Sequence, residues 1–323
     1  IEIAVALALL VYGIEVSIDQ ACKVLSMFCG LQLSKSRADS LLQQLSVVWE
    51  KDFEALKDLI ALAMIVHIDE TGWKIDDKRC YTWIFTSVLH TVLLYGESRG
   101  EEVLDMILPR NSFNGIGISD CLKIYEKRFQ KAQKCWAHFL RKAIELMLTK
   151  HNCKEYRTFF EELHSIFTEG RKAQDDATLT EQQRKEVVAN LQTRMVKLCT
   201  RHEEKIPKDT EKDEREFINL QKRMIRNIED LFTFVLIPEV EATNNRAERG
   251  FRKTAKARNN YQTSKTKKGA DRRSTIASVL TSLQQNMEHY TLESITKEVT
   301  RWRTEGISMF QKQLQIAQMG NSP

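Results

Sequence analysis

The chain has 323 residues, of which 42% are hydrophobic and 29% are charged, as in an ordinary soluble globular protein. Only four prolines and twelve glycines are present, which argues against long low-complexity linkers. The net charge of +5 permits an acidic polymer as partner without requiring one, so the distribution of charge matters more than its sum. Seven scattered cysteines, none in a Cys-x-x-Cys pair, exclude a cysteine-rich zinc module and favour a reducing compartment.

The first thirteen residues are apolar, but this run is shorter than the roughly 20 residues of a membrane-spanning helix. It also lacks the basic start and the cleavage pattern of a signal peptide, so we expect a buried helix and no membrane association. Because the chain begins with Ile1 rather than Met, we expect its natural start to lie upstream.

Residues 1–63 are predicted to be helical. Ser17 begins a helix with a capping-box pattern that ends near Gly30, and Ser34 or Ser36 can cap the next helix. Two short helices joined by a tight turn resemble a helix-turn-helix. A helical hairpin packed on its neighbours fits the same pattern equally well.

Five short strands are predicted after this region. The first runs from Met64 to Asp69, and two segments rich in β-forming residues, 80–89 and 91–95, follow it. The fourth, Gly115 to Asp120, also ends in an aspartate, and 132–135 is predicted to be a polar edge strand. Strands in succession, followed by strands alternating with helices, indicate a mixed α/β sheet.

The rest of the chain is predicted to be mostly helical. Residues 136–236 show helical periodicity, interrupted by the charged segment 170–184 and by 206–210. Beyond Pro238 we predict a helix over 242–257, a basic loop over 259–269 and a helix over 274–287.

Asp69 and Asp120 are the first candidate site residues, because ligands of open α/β sheets gather beyond the carboxyl ends of strands. If the two strands are neighbours, the carboxylates repel unless they share a proton or bind cations. Hard oxygen ligands favour Mg²⁺ or Mn²⁺ over zinc. Aspartates at strand ends are common on protein surfaces, so this pair alone is weak evidence.

A third candidate carboxylate is Glu248. Asn244, Glu248 and Arg252 are spaced at i, i+4 and i+8, which places them on one face of a helix. The flanking side chains can then orient the carboxylate and contact phosphate. The alternative is an exposed helical face with salt bridges.

Cations cluster after this glutamate. The predicted DNA-binding residues are Arg249, Lys253, Lys256, Arg258, Lys265, Lys267, Lys268, Arg272 and Arg273. Tyr261 and Gln262 interleave as stacking and hydrogen-bonding groups. A generic basic loop is the alternative, but the position next to Glu248 favours nucleic acid.

Cys135 and His138 are spaced like half of a zinc site, but two ligands without partners are incomplete. We favour a structural role for Cys135, and for His138 a role in orienting the backbone or a metal-bound carboxylate. His67 shares a strand face with Asp69 and is predicted to be a packed histidine rather than a ligand.

Several short motifs follow one another along the chain. They are Leu33-Ser-Lys-Ser-Arg-Ala-Asp39, His67-Ile-Asp-Glu-Thr-Gly-Trp73, Ser98-Arg-Gly100, Ile118-Ser-Asp-Cys121 with Tyr125, Lys134-Cys-Trp-Ala-His-Phe-Leu-Arg141, Ala242-Thr-Asn-Asn-Arg-Ala-Glu-Arg-Gly-Phe-Arg252, and Gly269-Ala with Ser274. Taken in order, these motifs resemble the insertion sequence 66 family of transposases. The resemblance covers most of the chain apart from the central helical part.

The resemblance implies an α/β fold of ribonuclease H-like type, with a mixed five-stranded sheet, a large all-helical insertion and a helical N-terminal region. It implies an Asp-Asp-Glu triad of Asp69, Asp120 and Glu248 that holds two Mg²⁺ or Mn²⁺ ions. Cys135 and His138 match a Cys-x-x-His signature of related transposases, which supports a role near the site. The implied domains are 1–63, the helical N-terminal region; 64–135, the first part of the catalytic core; 136–238, the insertion; 239–290, the end of the core; and 291–323, a helical tail.

The expected function is metal-dependent cleavage and strand transfer of an insertion sequence. The expected partners are transposon ends and target DNA, a second copy of the chain and possible accessory proteins, at the nucleoid of a bacterial cytoplasm. Two features depart from the family. No N-terminal coiled coil or cysteine-bearing DNA-binding segment is visible, and Cys121 and Leu122 are unusual after the second aspartate. The alternatives are a ribonuclease H-like nuclease or resolvase without strand transfer, and a transposase-derived DNA-binding protein without catalysis.

Overall fold

The computed structural model describes residues 1–259 and 263–320 and divides into two compact units. Unit 1 consists of Ile1–Gly115 and Asn245–Pro323, and unit 2 of Ile116–Asn244. Tyr261 and Gln262 lie outside the described residues. The domain boundaries expected from the sequence divide the chain more finely and stay predictions.

The chain is a mixed α/β protein. Its strands are β1 (Ile65–Ile75), β2 (Lys78–Thr86), β3 (Thr91–Glu97), β4 (Ile116–Ser119) and β5 (Lys131–Lys134). Its α-helices are α1 (Glu2–Ala8), α2 (Ile18–Cys29), α3 (Lys35–Val48), α4 (Glu50–Ala61), α5 (Glu101–Ile107), α6 (Trp136–Thr149), α7 (Lys154–Asp175), α8 (Glu181–Leu198), α9 (Lys212–Arg226), α10 (Thr233–Leu236), α11 (Asn245–Gly250), α12 (Arg252–Asn259), α13 (Lys267–Asn286), α14 (Leu292–Glu305) and α15 (Met309–Gly320). Among the described residues, no helix is both long and apolar enough to cross a membrane.

The N-terminal helices begin and end where the sequence predicts. The Ser17 hydroxyl accepts the Gln20 N–H, and the Gln20 side chain accepts the Ser17 N–H, which forms the capping box of α2. Gly30 ends α2 in the left-handed region at φ 64°, and the Ser34 hydroxyl caps α3. The local signals in this part of the sequence therefore determine the helix boundaries.

In unit 1, β1 and β2 form an antiparallel hairpin. Asp76 and Asp77 connect them at φ 46° and 61°, as in the two-residue turns that match the twist of a hairpin. The prediction that the first strand ends at Asp69 is wrong, because β1 continues to Ile75. Its second half, from Glu70 to Ile75, combines polar residues with Gly72 and Trp73 and forms a strand by pairing with β2, which the local sequence does not reveal.

Strand β3 is the outer strand of the unit 1 sheet, and helix α13 covers its edge. Ser274, Ser278 and Ser282 accept hydrogen bonds from the N–H groups of Tyr95, Leu93 and Thr91 at 2.8, 2.8 and 2.9 Å. Four helical residues rise about 6 Å, close to two strand residues, so the two repeats match. The serines thereby satisfy donors that an exposed edge would present to another chain.

Helix α13 also begins earlier than predicted. The Thr266 hydroxyl accepts the Gly269 N–H at 3.1 Å, so the helix starts at Lys267 rather than at Ser274. The predicted continuous helix over 242–257 is also wrong, because α11 ends at Gly250 and α12 begins at Arg252. Phe251 lies between them with its side chain in the core of unit 1.

In unit 2, the parallel strands β4 and β5 precede the helices α6 to α10. Asp120 follows β4 directly, as predicted. Strand β5 is an edge strand, as predicted, but it is buried. Gln133 is 0% exposed, and its side chain bonds the Leu231 carbonyl and the Phe234 N–H. Helix α7 runs through Gly170 to Asp175, so the expected interruption is shorter than 170–184.

Candidate functional site

In unit 1, Asp69 lies within β1 opposite Ile84 of β2. It is half-buried, and its Oδ1 accepts the N–H of Glu70 at 2.9 Å. Side chains alternate along a strand, so Asp69 shares one face of the sheet with His67 and Trp73. His67 is buried, as predicted for a packed histidine.

Glu248 lies on α11, and this helix packs on the Asp69 face of the sheet. Its neighbour Ala247 belongs to the cluster of buried residues that includes Trp73 and Ile84. A Cβ atom at Gly250 would lie 2.2 Å from Ile84 Cδ1, so glycine allows this close approach without a shift of the Ile84 side chain. Since Ile84 is the cross-strand partner of Asp69, unit 1 brings the helix of Glu248 onto the face that carries Asp69.

The other face of β1 carries Glu70, whose side chain is 1% exposed. Arg99 donates two hydrogen bonds to Glu70 Oε1, from Nε at 2.9 Å and from Nη2 at 2.7 Å. The adjacent carboxylates Asp69 and Glu70 therefore have separate surroundings, and Glu70 is held by a cation.

In unit 2, Asp120 is half-buried at the carboxyl end of β4. Its Oδ1 accepts the Leu122 N–H at 3.0 Å, which fixes the turn that follows. Lys134, the last residue of β5, is 0% exposed. Its Nζ donates to Ser119 Oγ at 3.2 Å and to the Tyr125 carbonyl at 3.1 Å. Burial lowers the pKa of Lys134.

A cavity of about 90 Å³ beside Asp120 is also lined by His138 and Arg223. Burial raises the pKa of the neighbouring Cys121 thiol to about 12, so this group stays protonated. Cys135 is fully buried, and its Sγ accepts the Asn244 N–H at 3.1 Å. Within unit 2, His138 therefore lies near Asp120, whereas the Cys135 thiol anchors backbone.

Many cations of the basic segment already have partners within unit 1. Arg272 pairs with Asp39 at 2.8 Å, Arg273 with Glu15 at 2.7 Å, and Lys267 with Glu97 and Asp271. Other cations of this segment also have polar contacts: Lys253 with Gln284, Lys256 with the Ile14 carbonyl, and Arg258 with Thr71 and the Gly72 carbonyl.

The exposed cations Lys265 and Lys268 differ from these, because neither forms an ion pair with any described residue. Together with Lys35 they line a polar groove of about 820 Å³ in unit 1. Arg249 and Arg252 are exposed as well.

The family of this chain is indicated by its similarity to known proteins. A family model described as transposase IS66 family matches residues 2–272. The chain belongs to the IS66 transposase family. No curated protein matches the chain.

Membership of the IS66 family confirms the resemblance recognised in the sequence. It implies a DNA-acting enzyme with a role in transposition, and proteins of this type generally need divalent metal ions. The three candidate carboxylates suit such ions, because Mg²⁺ and Mn²⁺ prefer hard oxygen donors. By contrast, Asn244, Glu248 and Arg252 do not share one continuous helix, since α11 begins at Asn245 and ends at Gly250.

Three cations near the candidate residues of this IS66 protein were not singled out from the sequence as site residues. Lys134 stands within a strand whose burial was not predicted. Arg223 comes from α9, about one hundred positions beyond Asp120, and no local pattern links the two. Lys35 lies within the motif from Leu33 to Asp39, and the sequence assigned no role to its charge.

Proposed function

We propose that this IS66-family chain is a DDE-type transposase of ribonuclease H-like fold. In this proposal Asp69, Asp120 and Glu248 hold divalent ions and catalyse the cleavage and joining of DNA strands. The observation that carries the proposal is the packing of α11, which bears Glu248, on the sheet face that bears Asp69. The position of Asp120 directly after β4 supports its assignment as the second aspartate.

The proposed metal requirement follows from the donor set. Three carboxylates offer only oxygen atoms, and Asp69, Asp120 and Glu248 would together hold two Mg²⁺ or Mn²⁺ ions. Bound ions of this kind lower the pKa of an attacking hydroxyl and stabilise charge on the leaving oxygen.

The surrounding residues have supporting roles in this proposal. His138 lines the cavity of Asp120 and can hydrogen-bond a carboxylate or a phosphate oxygen. Within unit 2, the Cys135 thiol accepts the Asn244 N–H and thus anchors the backbone at this position. Arg252 is exposed at the start of α12, where its guanidinium can contact phosphate.

The groove lined by Lys35, Lys265 and Lys268 is the proposed DNA contact of unit 1. Cations without carboxylate partners release counterions from DNA when they bind phosphates, whereas paired cations must first give up a protein contact. We therefore give Arg273 and Arg272 structural roles, in contrast to the prediction from composition.

Replacing Lys265 and Lys268 together by alanine should weaken DNA binding and reduce its salt dependence. Each lost phosphate contact should lower the slope of log K against log salt by about 0.9, so by about 1.8 for the pair. Fluorescence anisotropy at several salt concentrations measures this slope. Lys267→Ala is the matched control and should change it less, because Lys267 already contacts Glu97 and Asp271. Equal slopes in the double variant and the wild type would contradict the assignment.

The proposed partners are transposon ends and target DNA. Pairing of two ends would require a second copy of the chain, and accessory proteins of the same element are further candidate partners. A transposase with these partners acts at the nucleoid of the bacterial cytoplasm.

A strand-joining assay tests the proposed activity. The purified chain is incubated with a target plasmid and with pre-cleaved DNA from the flanks of its own gene, in Mg²⁺, in Mn²⁺ or in EDTA. We expect joined product with either ion and none in EDTA. Cleavage without joining would favour a nuclease or resolvase, and DNA binding without any cleavage would favour a non-catalytic DNA-binding protein.

A further inference from the structure

Unit 2 contains a second cationic surface, the cleft between α6 and α9, to which the proposed function assigns no role. The cleft has a volume of about 450 Å³ and is lined by four cations and a single carboxylate. The cations are Lys142, Lys222, Arg223 and Arg226, and the carboxylate is Glu216. Glu216 is already neutralised by Lys142, so the surface presents excess positive charge.

Arg223 differs from the other three cations. Lys142 pairs with Glu145 and Glu216, Lys222 donates to the Glu204 carbonyl at 2.6 Å, and Arg226 pairs with Glu126 at 3.0 Å. The guanidinium of Arg223 is exposed and has neither a hydrogen bond nor an ion pair in the part of the chain that the structure describes.

Arg223 also connects two cavities. It lines the cleft between α6 and α9, and it lines the smaller cavity that contains Asp120 and His138. A linear anion that lies in the cleft would therefore pass Arg223 on its way to Asp120. Guanidinium groups bind phosphate oxygens through two parallel N–H donors, a geometry that lysine cannot reproduce.

We propose that this cleft binds the backbone of the DNA strand that is cut, and that Arg223 contacts a phosphate next to the scissile one. The proposal rests on the proposed function of Asp120 and extends it, since it assigns a substrate-binding role to the helical insertion. A DNA strand fits the cleft because its repeating negative charge complements a surface where cations outnumber carboxylates four to one.

The first test measures DNA binding in EDTA, where no cleavage can occur. Arg223→Ala should bind DNA about 10- to 100-fold more weakly, as expected for a lost charge-assisted hydrogen bond. The salt slope should fall by about 0.9. Arg223→Lys should recover the slope but only part of the affinity. Circular dichroism checks that each variant is folded.

Arg226→Ala is the matched control, because Arg226 lies on the same helix and lines the cleft but not the cavity of Asp120. Its pair with Glu126 predicts a smaller loss of affinity. Wild-type binding by Arg223→Ala would overturn the proposal. Equal losses in the two variants would also overturn it, because they would indicate a diffuse cationic surface.

The second test identifies the contacted phosphate. Uncharged methylphosphonates are placed one at a time around the cut, and binding of wild type and Arg223→Ala is compared on each DNA. At one position next to the cut, the neutral linkage should weaken wild-type binding and leave Arg223→Ala unchanged. If wild type and Arg223→Ala still differ in affinity at every position of the neutral linkage, Arg223 does not contact a phosphate next to the cut. Because this readout is independent of cleavage, an inactive wild type would refute the proposed function without deciding this test.

Discussion

Replacing Asp69 by asparagine is expected to slow DNA cleavage by a factor of about a thousand or more, while DNA binding remains. Asparagine keeps the size of the side chain but removes the negative charge that the proposed metal ions require. The Oδ1 atom of Asp69 accepts the N–H of Glu70, a hydrogen bond that an amide oxygen can also accept. Single-turnover cleavage of end DNA and anisotropy on the same DNA measure the two properties.

Asp77→Asn provides the matched control for this experiment. Asp77 belongs to the same hairpin, its side chain is 99% exposed, and its φ of 61° suits asparagine. It should therefore cleave at the wild-type rate. Cleavage by the Asp69→Asn protein at the wild-type rate would exclude Asp69 as a metal ligand.

Replacing Arg273 by alanine is expected to lower the free energy of unfolding by about 3–5 kcal/mol, because it leaves a buried carboxylate without its cation. The side chains of Arg273 and Glu15 are only 6% and 1% exposed, and the guanidinium donates to both carboxylate oxygens. The rings of Tyr12, Trp73 and Tyr95 enclose Arg273, each with its centroid 5.3 Å from Cζ. Chemical denaturation followed by circular dichroism measures the loss.

The loss of stability in Arg273→Ala is expected to be larger at high pH than at low pH. Burial raises the pKa of Glu15 from 4.5 to about 7, so the folded protein binds a proton that the unfolded chain has released in that range. Stability from this group is therefore present at low pH and is lost as the pH rises from about 4.5 to 7. Without Arg273 the folded pKa should rise further, and the variant should lose more stability at pH 8 than at pH 5.

Two further variants distinguish the effect of losing the buried pair from a general effect of substitution in α13. Lys268→Ala, at an exposed position of the same helix, should change stability by no more than about 0.5 kcal/mol. The double variant Glu15→Gln with Arg273→Met should be more stable than Arg273→Ala, since no buried charge remains unpaired. A loss in Arg273→Ala as small as in Lys268→Ala would contradict the structural role of the pair.

Short-range patterns were the reliable part of the sequence interpretation. The capping box at Ser17, the end of α2 near Gly30 and the position of Asp120 at the end of a short strand were all predicted, and each is visible in the structure. These features depend on residues only a few positions apart. The same holds for the ordered motifs that indicated the IS66 family, which the family match confirms.

Long-range pairing explains the errors. The second half of β1 is a strand because it pairs with β2, and the helix after Asn244 divides at Phe251 because that side chain enters the core. Strand β5 lies at the sheet edge as predicted, but its burial was not predicted, and Leu231 and Phe234 provide the hydrogen-bond partners of the buried Gln133. In each case the deciding contact comes from another element.

The sequence by itself determined the family and the mixed α/β class, and it led to the proposal of the three metal ligands, because these depend on residue types and on local order. Only the tertiary structure decided which cations remain available to DNA. Lys265 and Arg273 belong to the same basic segment, yet Arg273 is neutralised by Glu15, 258 positions away, whereas Lys265 faces an open groove. Charge interactions act through space, so the availability of a cation depends on what the fold places beside it.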